Sequence, residues 1–158
     1  MLKKCTNKNE YCFILDNLRD EDKQELFLLF GDSWYCATLN SLKNSDTLIF
    51  WGNNGSGEIV PVSMGGFYPI KNKNYKMACV WLLSTKFVKC NKTALMRVLK
   101  QQVLKASFDY EIMYNFICKS NFQAKIWLKK LGFCFDNPKP KNLDVKEGFE
   151  FFYRVNIK

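Results

Sequence analysis

A chain of 158 residues with 24 basic and 15 acidic side chains, net charge +9, is long enough for one domain with a packed core and short for two. At 47% apolar and 25% charged residues its composition is globular, and no apolar run approaches the roughly 18 residues of a membrane helix. Histidine is absent, which removes every Ser-His, Cys-His and histidine acid–base mechanism and leaves zinc only thiolates and carboxylates as ligands.

In chain order, Tyr11 to Leu15 reads as a short apolar strand. Asp20-Glu21-Asp22 then places three carboxylates at the positive end of a helix that runs to Phe30 and stops at Gly31, with Leu26, Leu29 and Phe30 as its apolar stripe. Trp34 to Leu42 forms a second short helix. Thr47 to Trp51 and Ile59 to Ser63 flank the turn signal Asn53-Asn-Gly-Ser-Gly57 and read as a hairpin, its second strand continuing through Gly65-Gly66-Phe67. Met77 to Leu83, the most apolar segment, is expected to be a central strand buried on both faces. Lys92 to Ala106 is a helix with Met96, Leu99, Val103 and Ala106 inward, and Tyr110 to Ile117 is the next strand. A helix from Asn121 follows, then a strand Phe133-Cys134-Phe135, a loop marked by Pro138 and Pro140, and a last strand Phe149 to Ile157 rich in β-formers. No linker interrupts the series. Residues 1–158 are therefore expected to form a single domain of the α/β class, one mixed central sheet flanked by helices.

The seven cysteines (5, 12, 36, 79, 90, 118 and 134) never fall in a Cys-x-x-Cys spacing, and Cys79, Cys118 and Cys134 sit inside apolar stretches. They read as small buried hydrophobes of a reducing compartment, and no metal is expected. The opening segment Met1 to Glu10 lacks the apolar core of a signal peptide, so a cytoplasmic setting without a membrane partner is expected. Lysines number 21 against three arginines, with clusters at Lys71, Lys73, Lys76 and at Lys86, Lys89, Lys92. Nonspecific contact with nucleic acid is one reading of them. With no arginine-and-aromatic groove pattern, the preferred reading is a solvated lysine surface of the kind an AT-rich coding sequence produces.

The Asn121–Phe133 segment is amphipathic: Ala124, Trp127, Leu128 and Leu131 share one face, while Lys125, Lys129 and Lys130 lie off it. Asn121 opens it, Ala124 follows three residues on, and Gly132-Phe133 closes it. In this it resembles the last helix of the GCN5-related N-acetyltransferases (GNAT). More narrowly, the chain resembles an acetyltransferase-like family of tailed phages that includes an internal virion protein. That likeness rests on Leu18-Arg19 with Asp22 and Glu25-Leu26, on Trp81-Leu82-Leu83-Ser84-Thr85, on Tyr114 to Ile117 leading to Asn121, and on Phe149 to Val155. The resemblance implies a GNAT-like (acyl-CoA N-acyltransferase) fold. It also implies host cytoplasm or phage virion as location, and phage virion or host proteins as partners.

In GNAT proteins acyl-CoA lies between two splayed parallel strands, its pantetheine on the main chain of the first and its pyrophosphate on the start of the following helix, where free amides and the dipole hold anions. Carried over residue by residue, the acetyl-CoA positions are Leu82, Leu83 and Ser84 for pantetheine, Lys89, Asn91, Lys92 and Thr93 for phosphates, and Asn121. Asn91 and Asn121 read equally as helix caps. The pattern departs from active relatives twice. No glycine stands between Gly66 and Gly132, so the phosphate turn lacks the residues that let main chain approach phosphate, and Leu128 occupies the position of the tyrosine that protonates the CoA thiolate. Glu58 and Glu111 are the nearest carboxylates in the topology and read as surface residues, so no catalytic residue is assigned. The expectation is a phage GNAT-fold protein with a degraded acyl-CoA site, a non-catalytic internal virion or head-assembly accessory protein. The alternative is an active acetyl-CoA-dependent N-acetyltransferase acting on a protein lysine or a small amine.

Overall fold

The computed structural model describes residues 1–5, 7–42, 47–135 and 146–156. Its elements run β1 (Leu2–Lys4), α1 (Lys8–Asp16), α2 (Asp20–Phe30), α3 (Trp34–Leu42), β2 (Leu48–Asn53), β3 (Ile59–Ile70), β4 (Met77–Ser84), α4 (Lys92–Asp109), β5 (Ile112–Cys118), α5 (Phe122–Lys130) and β6 (Phe149–Val155). Short 3-10 turns at Gly31–Ser33 and Lys86–Cys90 lead into α3 and α4. The strands make one six-stranded mixed sheet in the order β1-β2-β3-β4-β5-β6. β4 and β5 pair in parallel, and β1–β2, β2–β3 and β5–β6 are antiparallel. Among the described residues no helix is long and apolar enough to cross a membrane.

The chain divides into two compact units, Met1–Gly66 with Trp81–Val98 and Phe67–Val80 with Leu99–Lys158. In the first, Ile14, Leu15 and Leu18 pack with Leu26 of α2, Leu42 of α3, Ile49 of β2 and Met64 of β3. Ile14, Ile49 and Met64 are fully buried, so truncating any of them to alanine costs about 2–5 kcal/mol. Tyr11–Leu15, expected as a strand, lies inside α1. The Asn7 side chain accepts the Glu10 N–H at 3.1 Å and caps that helix, and the turn it starts buries Ile14 and Leu15 together. The hairpin is as expected. Asn53 Oδ1 accepts from the Gly55 and Gly57 amides, and both glycines take φ of +97°, a conformation their lack of a Cβ permits.

In the second unit β5 and β6 pair along their whole length, and Phe151 of β6 packs with Tyr114 and Phe116 of β5. α5 ends in a Schellman motif: the Phe133 N–H reaches Leu128 O and the Gly132 N–H reaches Lys129 O, with Gly132 at φ +83°. Phe133–Phe135 is not a full strand. It joins the sheet by one isolated bridge, Cys134 to Tyr153, while Phe133 and Phe135 pack on Phe152. Within β4 only Ala78 and Ser84 are buried, so that strand is not covered on both faces as its apolar run suggested. Pro138, Pro140 and Ile157 lie outside the described residues.

Candidate functional site

The end of β4 and the start of α4 carry most of the expected positions, all in the first unit: Leu82, Leu83, Ser84, Lys89, Asn91, Lys92 and Thr93. β4 lies tight against β3 here. A Cβ on Gly65 would fall 2.6 Å from Trp81 O, so glycine is required for that approach. The Thr85 N–H donates to Val62 O of β3 at 2.8 Å, which fixes the alternation: Leu83 faces the β3 edge, while the main-chain groups of Leu82 and Ser84 face away from it.

On that opposite edge Ser84 is already engaged. Its N–H donates to Asp22 Oδ2 at 2.8 Å, and its carbonyl accepts the Arg19 N–H at 3.0 Å. Asp22, on the first turn of α2, pairs with the Arg19 guanidinium at 2.5 Å, and the Ser84 hydroxyl meets that of Ser63 at 2.9 Å. Burial pushes the Asp22 carboxyl above its ordinary value, against the pull of Arg19 and the Ser84 amide. Ser84, placed by sequence on the pantetheine edge, thus belongs to an internal polar network. The Arg19-x-x-Asp22 spacing is legible as an i,i+3 pair. The Ser84 partner, 62 positions from Asp22, is not.

Asn91 is likewise held internally. Its Nδ2 donates to Asn53 O at 2.7 Å and Phe87 O at 2.9 Å, and its Oδ1 accepts the Asn53 N–H at 3.1 Å. Both amide hydrogens are therefore directed at protein carbonyls. Its carbonyl accepts the Leu95 N–H, the first bond of α4, so the amides of Lys92, Thr93 and Ala94 precede the helical ladder. Lys89, Lys92 and Thr93 are exposed. Those amides, the helix dipole and two exposed ammonium groups make a donor set suited to a pyrophosphate.

Asn121 belongs to the second unit, where it caps α5: it is buried, and its Oδ1 accepts the Ala124 N–H at 3.3 Å. Leu128 is part-buried on the same helix and offers no proton. Glu58 is exposed and accepts from Asn54 Nδ2 at 3.0 Å, and Glu111 accepts the Lys76 N–H at 3.0 Å. Burial pushes the Cys79 thiol up to about 11, so it stays protonated at neutral pH. Among the described residues no group of three or more His, Cys, Asp or Glu could hold a metal ion.

The fold has solved counterparts. A Bacillus anthracis acetyltransferase of the GNAT family matches with a TM-score of 0.63 at 12% identity, over 98% of this chain and 93% of that one. An N-acetyltransferase from Staphylococcus aureus Mu50 matches at 0.62 and 16% identity, over 100% and 98%. The chain has the GNAT fold. A Bacillus subtilis acetyltransferase in complex with CoA also matches the GNAT fold seen here, at 0.62 and 11% identity over 99% of this chain and 98% of that one. No protein-family model and no curated protein matches the sequence, so the likeness is one of fold.

Proposed function

We propose that the chain binds an acyl-CoA at the β4–α4 junction and acts as a binding or assembly component rather than as a turnover enzyme. The observation that carries the binding is the start of α4, where the amides of Lys92, Thr93 and Ala94 stand ahead of the first helical bond beside exposed Lys89 and Lys92. These groups take the pyrophosphate, and Leu82 supplies the main-chain edge for pantetheine in place of Ser84, whose amide Asp22 holds. Asn91 is left out of the ligand set because its amide clamps the β2–β3 hairpin. The CoA seen with the Bacillus subtilis protein supports this ligand class.

The reading as a non-catalytic component rests on the side chains that stand where the family resemblance calls for proton transfer. Acyl transfer to an amine needs a proton taken from the amine and one given to the thiolate. Leu128 cannot give one, and Glu58 and Glu111 are engaged at the surface. The resemblance of Leu18-Arg19, Asp22 and Glu25-Leu26 to the phage family supports a phage virion or host protein as partner. A second reading, an acetyl-CoA-dependent N-acetyltransferase, is favoured by the acetyltransferase names of the matching structures.

Isothermal titration with CoA, followed by a thiol-release assay with acetyl-CoA and a panel of amines and lysine peptides, separates the readings. Micromolar CoA binding without thiol release above the blank is the expected result. Thiol release that saturates with an amine establishes the enzyme instead, and no heat at millimolar CoA removes acyl-CoA from both.

A further inference from the structure

Two helices expose apolar side chains in opposite electrostatic settings. α2, in the first unit, buries Asp22 and Leu26 and leaves Phe27 and Leu28 49% and 39% exposed. α5, in the second unit, buries Trp127 and leaves Phe122 and Ile126 70% and 49% exposed. Single exposed apolar side chains are ordinary, whereas grouped ones mark surfaces that associate. The charges beside the two groups differ in sign. The first turn of α2 carries Asp20 and Glu21, both exposed, and its last turn has no basic residue. The first turn of α5 has no acid, and its last turn carries Lys129 and Lys130, both exposed.

The spacing matches as well as the sign. Asp20 stands seven residues before Phe27, Glu21 seven before Leu28, and Phe122 seven before Lys129. Seven residues make nearly two turns, so each pair shares a face, its members about 10 Å apart along the axis. The order is reversed between the helices: acid then apolar on α2, apolar then base on α5. We propose that α2 of one copy docks antiparallel on α5 of a second copy. Phe27 and Leu28 then meet Phe122 and Ile126, while Asp20 and Glu21 meet Lys129 and Lys130. Charge selects this pairing over the like-with-like ones. α2 on α2 sets acids against acids when parallel and against Phe27 and Leu28 when antiparallel, and α5 on α5 does the same with lysines. A foreign acidic and apolar helix would also suit α5, but this chain carries one that matches in order and spacing. The contact joins unlike faces, so it closes into a symmetric assembly or extends from copy to copy. It stands whether or not the chain binds acyl-CoA.

Sedimentation velocity of the full chain at low salt tests the contact with two double variants. Asp20→Lys with Glu21→Lys makes both faces basic, and Lys129→Glu with Lys130→Glu makes both acidic. The wild type is expected to associate increasingly with concentration up to about 200 μM, and each variant alone to associate at least about tenfold more weakly. Their equimolar mixture is expected to recover association, because each supplies the face the other has lost. Lys71→Glu with Lys73→Glu makes the same charge change as the α5 variant at exposed positions outside both helices, and is expected to associate as the wild type does. Thermal melts check that each variant folds. If α2 fails without its first-turn acids, Phe27→Ser with Leu28→Ser takes that variant's place, with the same loss alone and the same recovery in the mixture. A wild type that stays monomeric, an α2 or α5 variant that associates as the wild type does, or a mixture that stays dissociated would overturn the proposal. A monomeric wild type that holds a single-stranded oligonucleotide through Lys129 and Lys130 would overturn it too, and would give the α5 face to nucleic acid.

Discussion

At the scale of single residues, the strongest constraint at the end of β4 is Asp22. Its two oxygens serve two elements at once, the guanidinium of Arg19 and the amide of Ser84. Asp22→Ala takes the carboxylate from a mostly buried guanidinium and the acceptor from a buried amide, and is expected to lower unfolding free energy by about 3–5 kcal/mol. Asp22→Asn keeps an acceptor for Ser84 and is expected to lose about 1–2 kcal/mol less. Urea denaturation of the three proteins checks this ranking. An Asp22→Ala protein as stable as the wild type would mean that the network carries no net stability. The same residue marks where sequence stops being informative: three acids at a helix start are explained by the dipole alone, and nothing local singles out the third as a link to β4.

At the scale of elements, boundaries that depend on local chemistry were legible and those that depend on distant partners were not. α2 begins at Asp20 and ends at Phe30, as its acids and Gly31 indicate, and α5 closes on Gly132 at positive φ. Tyr11–Leu15 lies in α1 rather than in a strand: five apolar residues fit a buried strand as well as a helix turn, and the deciding cap, Asn7, lies outside the run. The turn before α4 fails differently. Asn91 looks like a cap from its neighbours, yet its amide is committed to Asn53, 38 positions away. Gly52 makes room for it, since a Cβ there would fall 2.3 Å from Asn91 Oδ1. Gly52→Ala is therefore expected to displace the Asn91 side chain and cost about 2–3 kcal/mol in lost hydrogen bonds. Once Asn91→Ala has removed the obstructing atoms, the same Gly52→Ala change is expected to cost far less. A double-mutant cycle that came out additive would rule out this coupling.

At the scale of the whole molecule, the GNAT fold was legible in the order of elements and the Asn121–Phe133 helix. The proposed acyl-CoA positions fall on the end of β4 and the start of α4, and which of their groups are taken up inside the protein depends on Asp22 and on the Asn91 side chain, whose partners lie far away in sequence. What remains exposed is charge. The chain carries +9 overall, and on the acyl-CoA reading proposed above the ligand would be drawn by the general field and held by the lysines nearest its phosphates. These two contributions can be separated. Lys89→Glu with Lys92→Glu reverses charge beside the amides that open α4. Lys71→Glu with Lys73→Glu makes the same change in net charge at exposed positions outside the proposed phosphate contacts. At low salt both pairs are expected to weaken CoA binding, the first by about a hundredfold and the second by less than about threefold. The second deficit is expected to vanish at 0.5 M salt, where the Debye length shrinks to a few Å, and the first to shrink but persist. Calorimetric titrations at the two ionic strengths make the comparison. Equal losses for the two pairs would mean that only the overall field acts on the ligand, and the start of α4 would then have no special part in binding it.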